Sequence, residues 1–249
     1  MGDQDCREET DMTPNHVTFA DKSFSFARSI GEQWQDPNSN DLPSFQRRYL
    51  YVQSFSAAHT ASSYWILRRA DKQYDCNVLA RNLLERIFNS RVAHKSPRHA
   101  VELIAWELSE RIRHLRLFQT VHPQMDMQTI QGYESDLRVF LSLLGMSSAP
   151  QWDFYRRADE AGISSWAYRG VYSLLSGYTH AGYERGRPKE ISGPTSLADF
   201  VALLAPIDTA FLFHRISCTD VRCEIGSQYK ALYDEFERET IGRTTSNDG

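Results

Sequence analysis

No uninterrupted apolar run of about 20 residues, the length that crosses a bilayer, occurs in this 249-residue chain. The most apolar stretch, Phe200 to Phe213, is broken by Pro206 and Asp208 and is expected to be a central core helix, with no membrane partner. Cysteine is scarce. Cys6, Cys76, Cys218 and Cys223 are scattered, and a chain this long needs no disulfide staples, so reduced thiols in the cytoplasm are expected. His214 and Cys218 have the helical i, i+4 spacing that can grip zinc, with Cys223 near by, but no Cys-x-x-Cys pair or local fourth ligand accompanies them. Neither a metal nor a cofactor is expected. The sequence also lacks a phosphate-cradling Gly-rich loop, a Gly-x-Ser-x-Gly elbow and a His-Glu-x-x-His pair, so the common kinase and hydrolase chemistries find no support. A formal net charge of -4 excludes a protein that coats nucleic acid non-specifically, since that needs a cationic footprint, but leaves a local basic patch open.

Apolar residues are plentiful, at 41% with 12% aromatics, which is enough for a buried core. They recur with helical rather than alternating spacing, and no internal repeat appears. A first helix is expected over 23–34, followed by a loop of turn formers and two prolines over 35–43. The chain then runs without Gly or Pro from Ser44 to Ser96, and residues 71–75 are the expected break into an antiparallel helix pair. Ser96 followed by Pro97 reads as an N-cap and first helical position. The stripe Val101, Ile104, Ala105, Leu108, Ile112, Leu115 and Phe118 then predicts a helix with all seven residues in the core. Further helices are expected over 127–144, closed by Gly145, and over 151–161, 164–181, 196–217 and 221–239. The fold class predicted is all-α: a single-domain antiparallel helical bundle of about seven to nine helices over 21–240, with flexible tails at 1–20 and 241–249.

One polar constellation stands out. Tyr172, Ser176 and His180 are four residues apart, so successive members turn by only about 40° and share a helix face, with Arg169 on the same polar side. Trp166, Val171, Leu174 and Leu175 occupy the opposite face. Gly170, Ser173 and Gly177 form a line of small residues, where the cost of glycine in a helix predicts close approach of another helix. Earlier in the chain, Arg81 and Glu85 border an apolar face of Leu79, Leu83, Leu84, Ile87 and Phe88. Arginine four residues before glutamate is the weaker order for an ion pair within a helix, which points to a role across helices.

Arg-x-x-x-Glu on an early helix and Tyr-x-x-x-Ser-x-x-x-His on a later one resemble a group of bacterial all-α proteins known only as a domain of unknown function, over roughly residues 45–215. The resemblance implies a helical fold with functional positions at Arg81, Glu85, Tyr172, Ser176 and His180. Two readings of these residues stand side by side. In one, Arg81 and Glu85 form an interhelical salt bridge and His180 bonds a backbone carbonyl. In the other, His180, Arg81 and Glu85 are catalytic, with His180 as acid or base, Arg81 holding an anion, and Tyr172, Ser176 and Arg169 binding the ligand.

Two basic groups, Arg91-His94-Lys95-Arg98-His99 and Arg111-Arg113-His114-Arg116, most simply give solvated faces. Arg116 and His122 have the spacing of the Arg and His in small bacterial ribonucleases of the HEPN type, a distant similarity that the apolar Leu117 directly after the arginine weakens. The function expected is a helical binding or interaction module, for which the resemblance to such helical domains implies a bacterial stress or phage-defence setting, with a nucleic acid or a protein as partner and a homo-oligomer open. The alternative is a metal-independent nuclease or other phosphodiester-cleaving enzyme using His180 and Arg81.

Overall fold

The structure, a computed structural model, describes residues 14–32, 34–122, 127–163, 170–172, 175, 194–218 and 224–240. Among these residues there are eight helices and no strand: α1 (Pro14–Glu32), α2 (Leu42–Arg69), α3 (Gln73–Lys95), α4 (Pro97–Val121), α5 (Met127–Leu144), α6 (Phe154–Glu160), α7 (Pro194–Ser217) and α8 (Ile225–Thr240). The chain is an all-α helical bundle.

The helix ends follow local chemistry. The Asp41 carboxylate accepts from the Ser44 amide at 2.8 Å to start α2, and Asp71 closes the α2–α3 turn in the left-handed region at φ 55°. Ser96 starts α4 by accepting from the His99 amide at 3.1 Å, with Pro97 at the first helical position. α5 stops at Gly145, where φ is 65° and the Met146 amide returns to the Leu141 carbonyl at 2.9 Å. One boundary departs from expectation. α1 begins at Pro14, so residues 14–20, placed in a tail by their polarity, are helical. Phe19 and Ala20 are buried in line with Ser23, Phe26, Ala27 and Ile30, while Thr18, Asp21 and Lys22 face water.

α7 is the axis of the bundle. Every residue from Val201 to Ala210 is buried, and α1, α2, α3 and α8 pack around it. Its segment Leu197–Ser217 is long and apolar enough to cross a membrane by length and composition, with 78% of an 18-residue apolar window within it buried inside the bundle. Pro206 removes one helical amide, and beside it Thr209 Oγ1 donates to the Ala205 carbonyl at 2.8 Å. Two ion pairs tie α7 to its neighbours. Asp208 accepts both arms of Arg91 from α3, at 2.9 and 3.0 Å. Asp199 accepts from the Tyr64 hydroxyl and Arg68 of α2, at 2.5 and 3.3 Å.

α4 packs on α2 and α3, α5 on α4, and α6 on α3. α5 thus sits outside the main core, over a smaller cluster of Val101, Ala105 and Leu144. Outward along this arm α4 leaves the bundle, and Phe118 at its end is 53% exposed. That corrects the expectation of a core residue: the helical period holds, but no element covers the last turn among the described residues.

Candidate functional site

α3 carries the polar residues that matter, on the side away from α7. Successive turns of a helix stack positions three and four apart, so Arg81, Glu85 and Asn89 rise along one line, with Arg86 to the side facing α2. Arg91 is turned toward α7 instead, where it meets Asp208. Packing the apolar side against α7 therefore delivers the polar side to α6, α4 and the segment containing Tyr172.

Arg81 reaches across the bundle rather than only along its own helix. One terminal nitrogen donates to the Tyr172 hydroxyl at 2.8 Å, and its guanidinium carbon lies 5.0 Å from the Tyr172 ring centroid. Its Nε is 3.7 Å from Glu85 Oε1, an ion pair beyond hydrogen-bond length, and this buried Nε has no hydrogen-bond partner. The Tyr172 ring stacks on Phe154 of α6, with centroids 3.5 Å apart and planes 20° from parallel. Three of the five central candidate residues, Arg81, Glu85 and Tyr172, are thus brought together across helices distant in sequence. Ser176, His180 and Arg169 lie outside the described residues, as do Ser173 and Gly177. Gly170, the remaining member of the small-residue line, is exposed, and a Cβ there would meet nothing within 4 Å. Its expected close helix contact is not formed among the described residues.

Beyond Phe154 the same arrangement continues inward with residues the sequence did not single out. Arg157 of α6, 5% exposed, lies between Phe154 and Trp106, its guanidinium carbon 4.9 and 4.7 Å from the two ring centroids. It donates to Asn89 Oδ1 at 2.8 Å. The Asn89 amide nitrogen donates at 3.2 Å to Glu107 Oε1, which also accepts from the Tyr49 hydroxyl at 2.6 Å. Arg86 donates to Gln53 Oε1 at 3.0 Å. Burial pushes the Glu107 carboxyl above the usual carboxylate value, against the pull of the Tyr49 hydrogen bond and of Arg157, Arg86 and Arg111. Burial, with Glu107 beside it, raises the Tyr49 hydroxyl too. Glu107 sits among Trp106, Leu108 and charged residues in a sequence window with no distinctive spacing. Only the meeting of α2, α3, α4 and α6 reveals it.

The weaker candidates resolve differently. Arg91, Lys95 and Arg98 are paired with Asp208, Glu160 and Glu102, so the first basic group is largely spent on structure. Arg113 and Arg116 pair with Glu110 and Glu134, and with Arg138 they line a 470 Å³ groove between α4 and α5. His122, six residues after Arg116, ends α4 with its ring 4.4 Å from that of Phe118. Among the described residues no three His, Cys, Asp or Glu side chains converge as metal ligands. Burial lowers the affinity of His214 for a proton.

With this geometry in place the comparison with known families becomes informative. The model of a family of unknown function (DUF5677) matches residues 50–186, more than half of the chain. The chain belongs to that family. No curated protein and no solved structure matches it. The DUF5677 segment includes Arg81, Glu85, Arg86, Asn89, Glu107, Arg157, Tyr172, Ser176 and His180. The helix α7, which packs against α3, lies outside it, as do α1 and α8.

Proposed function

We propose that this protein is a helical binding module whose polar site takes an anionic ligand at Arg81, with Tyr172 orienting that arginine and Ser176, Arg169 and His180 completing the site. The observation that carries the reading is the posture of Arg81. A guanidinium devoted to stability would saturate its donors on Glu85, but here it spans to Tyr172 and leaves its buried Nε unbonded. Guanidinium donors held in a fixed orientation are the common protein device for carboxylate and phosphate groups. Glu85, at 3.7 Å, keeps the fork oriented without occupying it.

The test is native mass spectrometry of the purified protein to identify what co-purifies, followed by calorimetric titration of that compound. Arg81→Gln should weaken binding by about tenfold or more, with helicity unchanged. Equal affinity in wild type and Arg81→Gln refutes the proposal. The same preparation decides on hydrolysis. Chelator-resistant cleavage of an RNA substrate that disappears in His180→Ala, with the melting temperature held, makes His180 and Arg81 parts of a metal-independent nuclease instead of a binding site alone.

A further inference from the structure

Arg86 and Arg157 pose a problem of charge. Among the described residues no carboxylate lies within salt-bridge distance of either, and the Nε of each is buried without a hydrogen-bond partner. A guanidinium taken from water without a counter-ion is costly. The rings of Trp106 and Phe154 offset part of that cost for Arg157 through their π faces, but ring faces do not accept from the edge Nε–H.

The carboxyl that neighbours both of them is Glu107, with Glu85 also acting on Arg86. Its Oε1 takes both available neutral donors, from Tyr49 and Asn89, while no hydrogen bond among the described residues reaches Oε2. Even ionised, this single carboxylate offsets only one of the two cations, and burial works against its charge. Asn89 is locked at both ends, donating to Glu107 and accepting from Arg157, which fixes the spacing of acid and base. Arg86 and Glu107 are each only partly buried, so the cluster meets solvent on their side.

We propose that Arg86, Arg157 and Glu107 form a second, inner site for a phosphoryl group, positioned by Asn89 and Tyr49 and divided from the Arg81–Tyr172 contact by the Phe154 ring. Two guanidiniums supply donors to phosphate oxygens, and the charge of hydrogen phosphate or a phosphate monoester matches what the cluster lacks. Glu107 Oε2 gives the site a preference. While Glu107 is ionised, a singly protonated phosphoryl group, hydrogen phosphate or the monoanion of a monoester, donates its P–OH to that oxygen, whereas fully ionised sulfate has no proton to give and meets the carboxylate as a repelling acceptor. Free phosphate and a phosphate monoester offer the same oxygens, and differ in whether the cluster has room for the ester carbon. This site does not require the Arg81 site to be occupied.

The experiment is calorimetric titration of the full chain with inorganic phosphate, sulfate and glycerol 3-phosphate at matched ionic strength. Phosphate should bind at least about tenfold tighter than sulfate. Arg86→Gln and Arg157→Gln should each lose about tenfold or more in phosphate affinity. Glu107→Gln, which keeps an oxygen for Tyr49 and Asn89 and offers a donor to either anion, should bring the phosphate-to-sulfate ratio to within about threefold. Arg86→Gln, at the partly exposed member, keeps the test decisive should Arg157→Gln fail to fold. Glycerol 3-phosphate binding alongside phosphate assigns a monoester, and phosphate alone assigns the free ion. Absence of phosphate binding overturns the inference, as does equal loss in Arg113→Gln on the distant α4–α5 groove. Loss of phosphate binding in Arg81→Gln, with Arg86→Gln unaffected, would move the ion to the outer site and overturn this inference while leaving the proposed function standing.

Discussion

Replacing Arg91 with alanine tests whether the bundle is braced at its axis in the way the geometry implies. Asp208 lies in α7 with its side chain 3% exposed and receives both of its strong donors from Arg91, which is itself 33% exposed. The two partners are therefore not equivalent. Arg91→Ala strands a carboxylate in the interior, which costs about 3–5 kcal/mol. Asp208→Ala leaves a guanidinium that already has one side in water, and loses about 1–3 kcal/mol, the range for unmet hydrogen-bonding groups. For a domain of this size each kcal/mol moves the melting temperature by about 2–4 °C, so Arg91→Ala should melt about 6–20 °C below wild type. The pair Arg91→Met with Asp208→Leu removes both charges and should return to within about 2 kcal/mol of wild type. Urea unfolding of the four proteins, followed by circular dichroism, measures the three differences from wild type. An Arg91→Ala cost equal to or below that of Asp208→Ala would refute the argument from unequal burial.

Tyr172→Phe keeps the ring on Phe154 and removes only the oxygen that Arg81 reaches, so urea unfolding should show a loss of about 0.5–1.5 kcal/mol. A larger loss would mean the hydroxyl holds more than Arg81. The Glu107 carboxyl is raised in the folded protein, so wild type is favoured below the unfolded carboxyl value of about 4.3 and loses that advantage as pH rises through the folded value. Glu107→Gln does not titrate, and its melting temperature in phosphate-free buffer should therefore gain on wild type from pH 4 to pH 8, whereas a constant difference would contradict the shift. Burial lowers His94, with Arg215 adding to the effect, and so wild type should lose stability as pH falls from about 7 through the lowered value, a loss smaller in His94→Gln by thermal melts. Gly145→Ala forces a side chain into φ 65° at the end of α5 and should cost about 1–2 kcal/mol by urea unfolding.

The bundle and most of its joints were legible in one dimension because they rest on local chemistry. Ser96-Pro97 starts α4, Gly145 stops α5, the break expected over residues 71–75 falls at residues 70–72 between α2 and α3, and the apolar stretch from Phe200 to Phe213 becomes the central helix, all from propensity and period acting within a few residues. The limits of the local signal show at its edges. Phe118 keeps the helical period but lies where no described helix covers it, and the α1 residues 14–20 look polar until Phe19 is seen against the ring of Phe236, 6.0 Å away. For the site, the residues four apart on α3 announced Arg81 and Glu85 as edge groups, and their separation from Tyr172 concealed only the partner. Glu107, Arg86, Asn89 and Arg157 carried no such sign. Their meaning is a charge imbalance, one carboxyl among guanidiniums, and an imbalance exists only once α2, α3, α4 and α6 have been packed and water removed from between them. Helix period is set by neighbours along the chain, whereas the cost of a buried ion is set by what the folded chain brings within a few ångströms of it.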